Sequence, residues 1–395
     1  MIKELATRVQ RIKPSPTMAV SARAESLIMA GKDVISLSVG EPDFDTPDFI
    51  KEAAIKAIHD GMTKYTAVDG TLGLKKAIQS KFKRDNQLSY ELDQILVSCG
   101  AKHSLFNLFA ALLNPGDEVI IPAPFWVSYP DMALLMEAVP VAISTDMQQH
   151  FKMTPAQLES AITPKTRLLV LNSPSNPTGV AYTKQELAAL GKVLLKHPDI
   201  TVVTDDIYEH TLWQPDTFAN ILMACPELYE RCIVVNGVSK SYAMTGWRIG
   251  YAAGPTKIIS AMKKIQSQST SNPTSIAQAA SQAALDGDQS CIPAMTKAYK
   301  ERHDYIVDVL HKIPGVKVLP GDGTFYCFPS FEEVIAKSST LKDDLELADY
   351  LLTEAGIALV PGTAFGAPGY LRISYATSME KVKEAMKRLE TALAN

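Results

Sequence analysis

The sequence has no run of about 20 apolar residues, the length a membrane-spanning helix needs. Its first residues, MIKELATRVQRIKPSP, mix charged and apolar positions at helical spacing and lack the unbroken apolar core of a secretory leader. Both absences lead to the expectation of a soluble, cytoplasmic protein without membrane partners. Cysteine is sparse: Cys99, Cys225, Cys232, Cys291 and Cys327 are scattered without a CxxC pair. That pattern argues against a disulfide framework and structural zinc, and suits reduced thiols. Charge of one sign is also missing. A formal net charge of -4 and a pI near 6.0 offer no general attraction to nucleic acid or anionic lipid, so any anion must be met locally by individual Lys and Arg. No internal repeat, low-complexity segment or appended basic helix-turn-helix is present.

What is there is length and apolar content. With 395 residues, 46% of them hydrophobic, the chain can bury a large core and divide into two domains. From Gln94 onward, short runs that are apolar on both faces (ILVSCG, DEVIIPAP, RLLVLNSP, ITVVTDDI, CIVVNGVS) alternate with helix-period segments. Strands buried between two helical layers read this way, so the expected fold is α/β with a mainly parallel sheet. A helical pattern runs from Ile258 to Leu285, and another from Ala294 to His311. The rest reads as a smaller α+β unit built from VKVLP, TFYCFPSF, IALVPG, YLRISYA and two helices. The expected division is a large domain at 46–291 and a discontinuous small one at 1–45 with 292–395.

In open sheets of this kind ligands gather at the carboxyl ends of strands, and the chemically informative residues lie there. Lys240 follows the run CIVVNGVS; at the floor of a cleft, partial desolvation would favour its neutral, nucleophilic amine, as a Schiff-base lysine requires. Ser239 and Arg248 bring a hydroxyl and a guanidinium suited to a phosphate dianion. Gly100, Ala101 and Lys102 open a helix whose free N–H groups can receive the same anion. Trp126 can stack on a flat ring, or equally pack in the core. In the rigid loop NSPSNPTG, Asn176 can donate to a phenolate oxygen, and the proline spacing suggests a cis peptide before Pro174 or Pro177. Of the pair Asp205 and Asp206, strand alternation sends only one towards a ligand, and Asp205 is the better placed to keep a pyridine nitrogen protonated. A magnesium site on that pair lacks a nearby third ligand in the sequence. Arg372, inside an apolar strand, needs an anion, either a substrate α-carboxylate or a structural salt bridge. Gly40 in VGEPDF either lets the backbone approach a ligand or makes an ordinary turn.

Taken in order, GEPDF, KYT, NSPSNPTG, TDDIYEH, SKSYAMTGWRIG and RISYA resemble the class I aminotransferases of pyridoxal phosphate fold type I over nearly the whole chain, closest to their bacterial aspartate aminotransferase branch. The resemblance implies a seven-stranded, mainly parallel sheet between helices, with pyridoxal 5'-phosphate bound to Lys240. It implies Tyr208 and Asn176 at the ring oxygen, Asp205 at the ring nitrogen, Trp126 on the ring, and Gly100, Ala101, Lys102, Ser239 and Arg248 at the phosphate. Tyr65 would reach in from a second subunit of a homodimer. Gly40, Asn176 and Arg372 would hold the α-carboxylate, and Lys102 with the region of Thr17 the second carboxylate. Asp206 departs from the Glu often found in relatives. Ping-pong transfer between aspartate or glutamate and a 2-oxo acid follows. Other specificities (prephenate, aromatic, alanine, kynurenine), a lyase on the same scaffold and a ligand-sensing regulator stay open.

Overall fold

A computed structural model describes residues 4–394; residues 1–3 and 395, the extremities of the expected small domain, lie outside the described residues. Twelve strands follow in chain order: β1 (Ile35–Ser36), β2 (Ile95–Ser98), β3 (Glu118–Ala123), β4 (Val139–Ser144), β5 (Thr166–Asn172), β6 (Thr201–Asp205), β7 (Cys232–Gly237), β8 (Gly250–Ala253), β9 (Tyr326–Cys327), β10 (Ile357–Ala358), β11 (Val360–Pro361) and β12 (Leu371–Ser374). Seven form one sheet in the order β2-β8-β7-β6-β5-β3-β4. β8 runs against both neighbours, so the other six point the same way. This is the expected α/β architecture with a mainly parallel sheet.

Alternation along each strand fills two cores at once. Leu168 and Val170 join Val203 and Val235 on one face, while Leu169 and Leu171 join Val202 and Val234 on the other. All are buried, which is why these strands read as continuous apolar runs. The edge strand β4 escaped the sequence reading because only Ile143 of its six residues is buried. The pattern from Ile258 to Leu285 is two helices, Thr256–Ser267 and Ser275–Asp286. Between them Ser271 turns left-handed (φ 60°) and Pro273 has no N–H to continue the ladder. Outside the large sheet, β1 pairs with β10, and β12 lies between β11 and β9. VKVLP contributes only a bridge between Lys317 and Ser330. All of these strands except β11, whose Val360 joins a smaller cluster with Phe328 and Phe365, share a third core with the helices Cys291–Leu310 and Met379–Leu393.

One buried ionic cluster ties the site-bearing loops to the helical layer. A π-helical turn, Phe82–Asn86, carries Asp85 and Asn86 towards the segment after β6. There the Lys81 ammonium pairs with Glu209, which also accepts from Asn86 Nδ2 (2.9 Å) and Asn236 Nδ2 (2.8 Å). His210 spans the gap between Asp85 (3.2 Å) and the hydroxyl of Ser241 (3.1 Å), the neighbour of Lys240. Asp85, Glu209 and His210 come within 4.8 Å of one another, as metal ligands do, but the Lys81 ammonium holds the cationic place among them. Removing that ammonium would strand a buried carboxylate. Lys81→Met is expected to lower stability by about 3–5 kcal/mol in urea unfolding, and adding Glu209→Gln to recover most of the loss.

Candidate active site

Five parallel strands deliver the site at their carboxyl ends. β2 leads through Gly100 into the helix Ala101–Leu112, β3 leads to Trp126, β5 to the loop of Asn176, β6 ends at Asp205, and β7 leads to Ser239 and Lys240. The loops after β3 and β5 hold three cis peptides, before Pro124, Pro174 and Pro177; the proline spacing suggested one before Pro174 or Pro177, and both are cis. Thr17, Gly40, Ala101, Lys102, Trp126, Asn176, Asp205, Tyr208, Ser239, Lys240, Arg248 and Arg372 all line one cleft of about 1150 Å³, counting its open mouth. The enclosed part, about 330 Å³, falls within the range of small-molecule sites.

On one side, Gly100 adopts φ 89° at the start of the helix, and a Cβ there would run into the Arg248 guanidinium. Arg248 is itself left-handed (φ 57°), held by a hydrogen bond from Nη1 to the Thr245 carbonyl (2.7 Å). The free N–H groups of a helix start, the Arg248 guanidinium and the Ser239 hydroxyl therefore converge on one spot, an arrangement that fits a phosphate. Lys102 lies over the Trp126 ring at 4.8 Å, and burial together with the Arg248 charge lowers its pKa.

At the floor, Asp205 and Asp206 diverge as strand alternation requires. Asp205 faces the cleft and accepts from the Tyr129 hydroxyl (2.7 Å); Asp206 points away to Thr204 (2.5 Å) and Asn220 (2.7 Å). Burial lifts the Asp205 carboxyl to about 6, against the pull of the Tyr129 hydrogen bond. Lys240 is driven the other way: burial lowers its amine to about 8, opposed by Glu41 and assisted by the charges of Arg248 and Arg372. Its Nζ donates to the Gly40 carbonyl (2.5 Å).

Opposite stands Arg372, 2% exposed. Nη1 donates to Asn176 Oδ1 (2.9 Å), Nη2 to the Ser38 carbonyl (2.6 Å), and Nε is buried without a partner. No carboxylate among the described residues pairs with it, so the salt-bridge alternative has no partner there and the guanidinium awaits an anion. Two of the residues singled out in the sequence stand apart. Gly100 lies just behind the lining, and Tyr65 is 92% exposed and does not line its own chain's cleft. Sequence reasoning missed Tyr129 and Tyr326. The spacing of Tyr129, three residues after Trp126 at a helix start, is a usable signal for a shared face. Tyr326 sits on a two-residue strand with no local signature.

A half-buried amine, a buried carboxylate and an unanswered guanidinium around an anion cup on an α/β sheet define a site for amino-acid chemistry. The family description "Aminotransferase class I and II" matches residues 32–389, and the chain belongs to that family. It is 55% identical to the aspartate/prephenate aminotransferase of Nitrosomonas europaea, over 99% of this chain and 100% of that one. It is 51% identical to the enzyme of the same name from Cereibacter sphaeroides, over 99% and 98%. Among solved structures, the aspartate aminotransferase of Rhizobium meliloti superposes with a TM-score of 0.96 at 47% identity, covering 99% of each chain. The Thermus thermophilus aspartate aminotransferase with maleate gives 0.93 at 42%, covering 99% of this chain and all of that one.

The depressed amine makes a direct prediction. In chain freed of carbonyl ligands, modification of Lys240 by a neutral acylating reagent should rise through a midpoint near pH 8. Exposed lysines should continue rising to about 10.4. Peptide mass spectrometry across pH measures both, and a Lys240 midpoint at the ordinary value would remove the claim.

Proposed function

We propose that this chain transfers the amino group of aspartate or glutamate to a 2-oxo acid (2-oxoglutarate, oxaloacetate or, as the relatives' names suggest, prephenate), using pyridoxal 5'-phosphate. The observation that carries the reading is that Arg372, buried and without a carboxylate partner, shares one cleft with the amine of Lys240. The fit to the coenzyme rests on the Gly100 cradle, which a Cβ would fill, and on the convergence of Arg248, Ser239 and the helix start there. Gly100, Ala101, Lys102, Ser239 and Arg248 would hold its phosphate, Asp205 its ring nitrogen, Asn176 and Tyr208 its ring oxygen, and Trp126 its face. When bound, the coenzyme supplies an aldehyde that captures amino groups and a protonated ring that withdraws electrons from them.

The chain's own groups do the rest. Arg372, with Asn176 and the Gly40 backbone, fixes the substrate α-carboxylate and so aims its Cα at Lys240. The amine of Lys240, neutral about half the time near pH 8, takes the proton from the substrate Cα and would carry it to the coenzyme carbon C4′, as a general base and then acid. Asp205 stays anionic because a cationic ring nitrogen beside it lowers its pKa again. Lys102 and Thr17 stand at the mouth to receive a second carboxylate. A homodimer is part of the proposal: Tyr65 is exposed, with Phe49, Ile55 and Ile58 of the helix Asp48–His59 also at the surface, and a second copy would cover them. We also assign the chain to the cytoplasm, in keeping with five free cysteines, and its two domains to 46–291 and to 1–45 with 292–395.

Lys240→Ala should still take up the coenzyme but lose at least about a hundredfold in transamination rate; an undiminished rate would end the proposal. With 2-oxoglutarate as acceptor, Lys102→Ala should weaken aspartate more than alanine or phenylalanine in kcat/KM. Equal losses for all donors would withdraw Lys102 from selectivity.

A further inference from the structure

Tyr326 has no role in the scheme above, yet it touches three groups that do. β9 pairs antiparallel with β12, placing Tyr326 opposite Ser374 and close to Arg372 on the same strand. Its hydroxyl lies 2.9 Å from that of Tyr208, and its ring lies under the Arg372 guanidinium at 4.5 Å. On its third side the hydroxyl sits so close to Gly40 that a Cβ there would overlap it. The side chain is 1% exposed, lines the cleft, and cannot move aside.

A phenol has one proton to give. If Tyr208 gave its proton to Tyr326, it would have none for a ligand; if Tyr326 donates, the Tyr208 proton is free to point into the cleft. Burial raises both phenols above their ordinary value, Tyr208 further, so both hydroxyls keep their protons, and the Arg372 charge only partly opposes this at each. The 2.9 Å contact allows either direction, and an anionic ring oxygen in the cleft decides it: such an oxygen takes the Tyr208 proton, and the Tyr208 oxygen then accepts from Tyr326. Resting on the function proposed above, we propose that Tyr326 is a two-sided positioning residue: its hydroxyl turns the Tyr208 proton towards the ring oxygen of the coenzyme, and its ring fixes the plane in which Arg372 meets a substrate carboxylate.

Two variants separate the sides. Tyr326→Phe keeps the ring and removes the hydroxyl; Tyr326→Leu removes both. The readouts are the dissociation constant of pyridoxal phosphate, the pH midpoint of the bound coenzyme's absorbance, and maleate affinity by calorimetry on the loaded protein. A donor at the ring oxygen stabilises its anion. Tyr326→Phe should therefore raise the absorbance midpoint by about 0.5 to 1 pH unit and weaken coenzyme binding about 3- to 10-fold, with maleate affinity within about twofold of wild type. Tyr326→Leu should in addition weaken maleate by about 3- to 30-fold. A general loosening of the fold would weaken maleate in both variants and leave the midpoint in place. An unmoved midpoint in Tyr326→Phe overturns the hydroxyl side, and equal maleate affinity in the two variants overturns the ring side. Wild-type chain that takes up no coenzyme would sink the functional reading itself; a normal wild-type titration with an unchanged Phe variant removes only this inference.

Discussion

Holding an amine, a carboxylate and a guanidinium out of water, without pairing them off against one another, costs several kcal/mol for each ion. The cleft of this aminotransferase-family chain holds Lys240, Asp205 and Arg372 in that condition, and the arrangement around them follows from it. Each ion receives only neutral or partial compensation: Lys240 gives to the Gly40 carbonyl, Asp205 takes from Tyr129, and Arg372 gives to Asn176 and Ser38. Each keeps a share of its charge unanswered, and that share is what an amino acid and an anionic coenzyme would meet.

The sheet makes the arrangement affordable. With both faces sealed by apolar cores, its strands end in fixed positions, and five parallel carboxyl ends present their loops to the same side. A second buried network, quite unlike the first, steadies the loops from behind. Lys81 and Glu209 are paired and fully hydrogen-bonded, and His210 carries that order to Ser241 beside the active lysine. One cluster is satisfied and rigid, the other unsatisfied and reactive.

How much of this could be read from the residues depends on how local the signal is. Strands sealed on both faces announce themselves as apolar runs, and a carboxylate, lysine or arginine at such a run's end is conspicuous. So the α/β sheet and the residues gathered in the cleft were legible, and two-fold alternation separated Asp205 from Asp206. What was not legible depends on partners distant in the chain. Tyr326 meets Tyr208 across 118 positions, and Tyr129 meets Asp205 across 76. β4 was hidden by its exposed edge, and the break at Ser271 by a backbone turn that the helical period does not reveal. Lys81 read as one more helical lysine, since nothing near it in sequence says that Glu209 waits beneath.

The cradle at Gly100 also divides the cleft into unequal halves. On that side the backbone is left-handed at two positions and Arg248 fills the space any larger residue would need, so there is no slack for substitution. Away from that backbone, Thr17 sits on the helix Pro16–Met29 and the Lys102 ammonium lies over the Trp126 ring. A substitution at Thr17 or Lys102 therefore meets less backbone constraint than one at Gly100, where any side chain would displace Arg248.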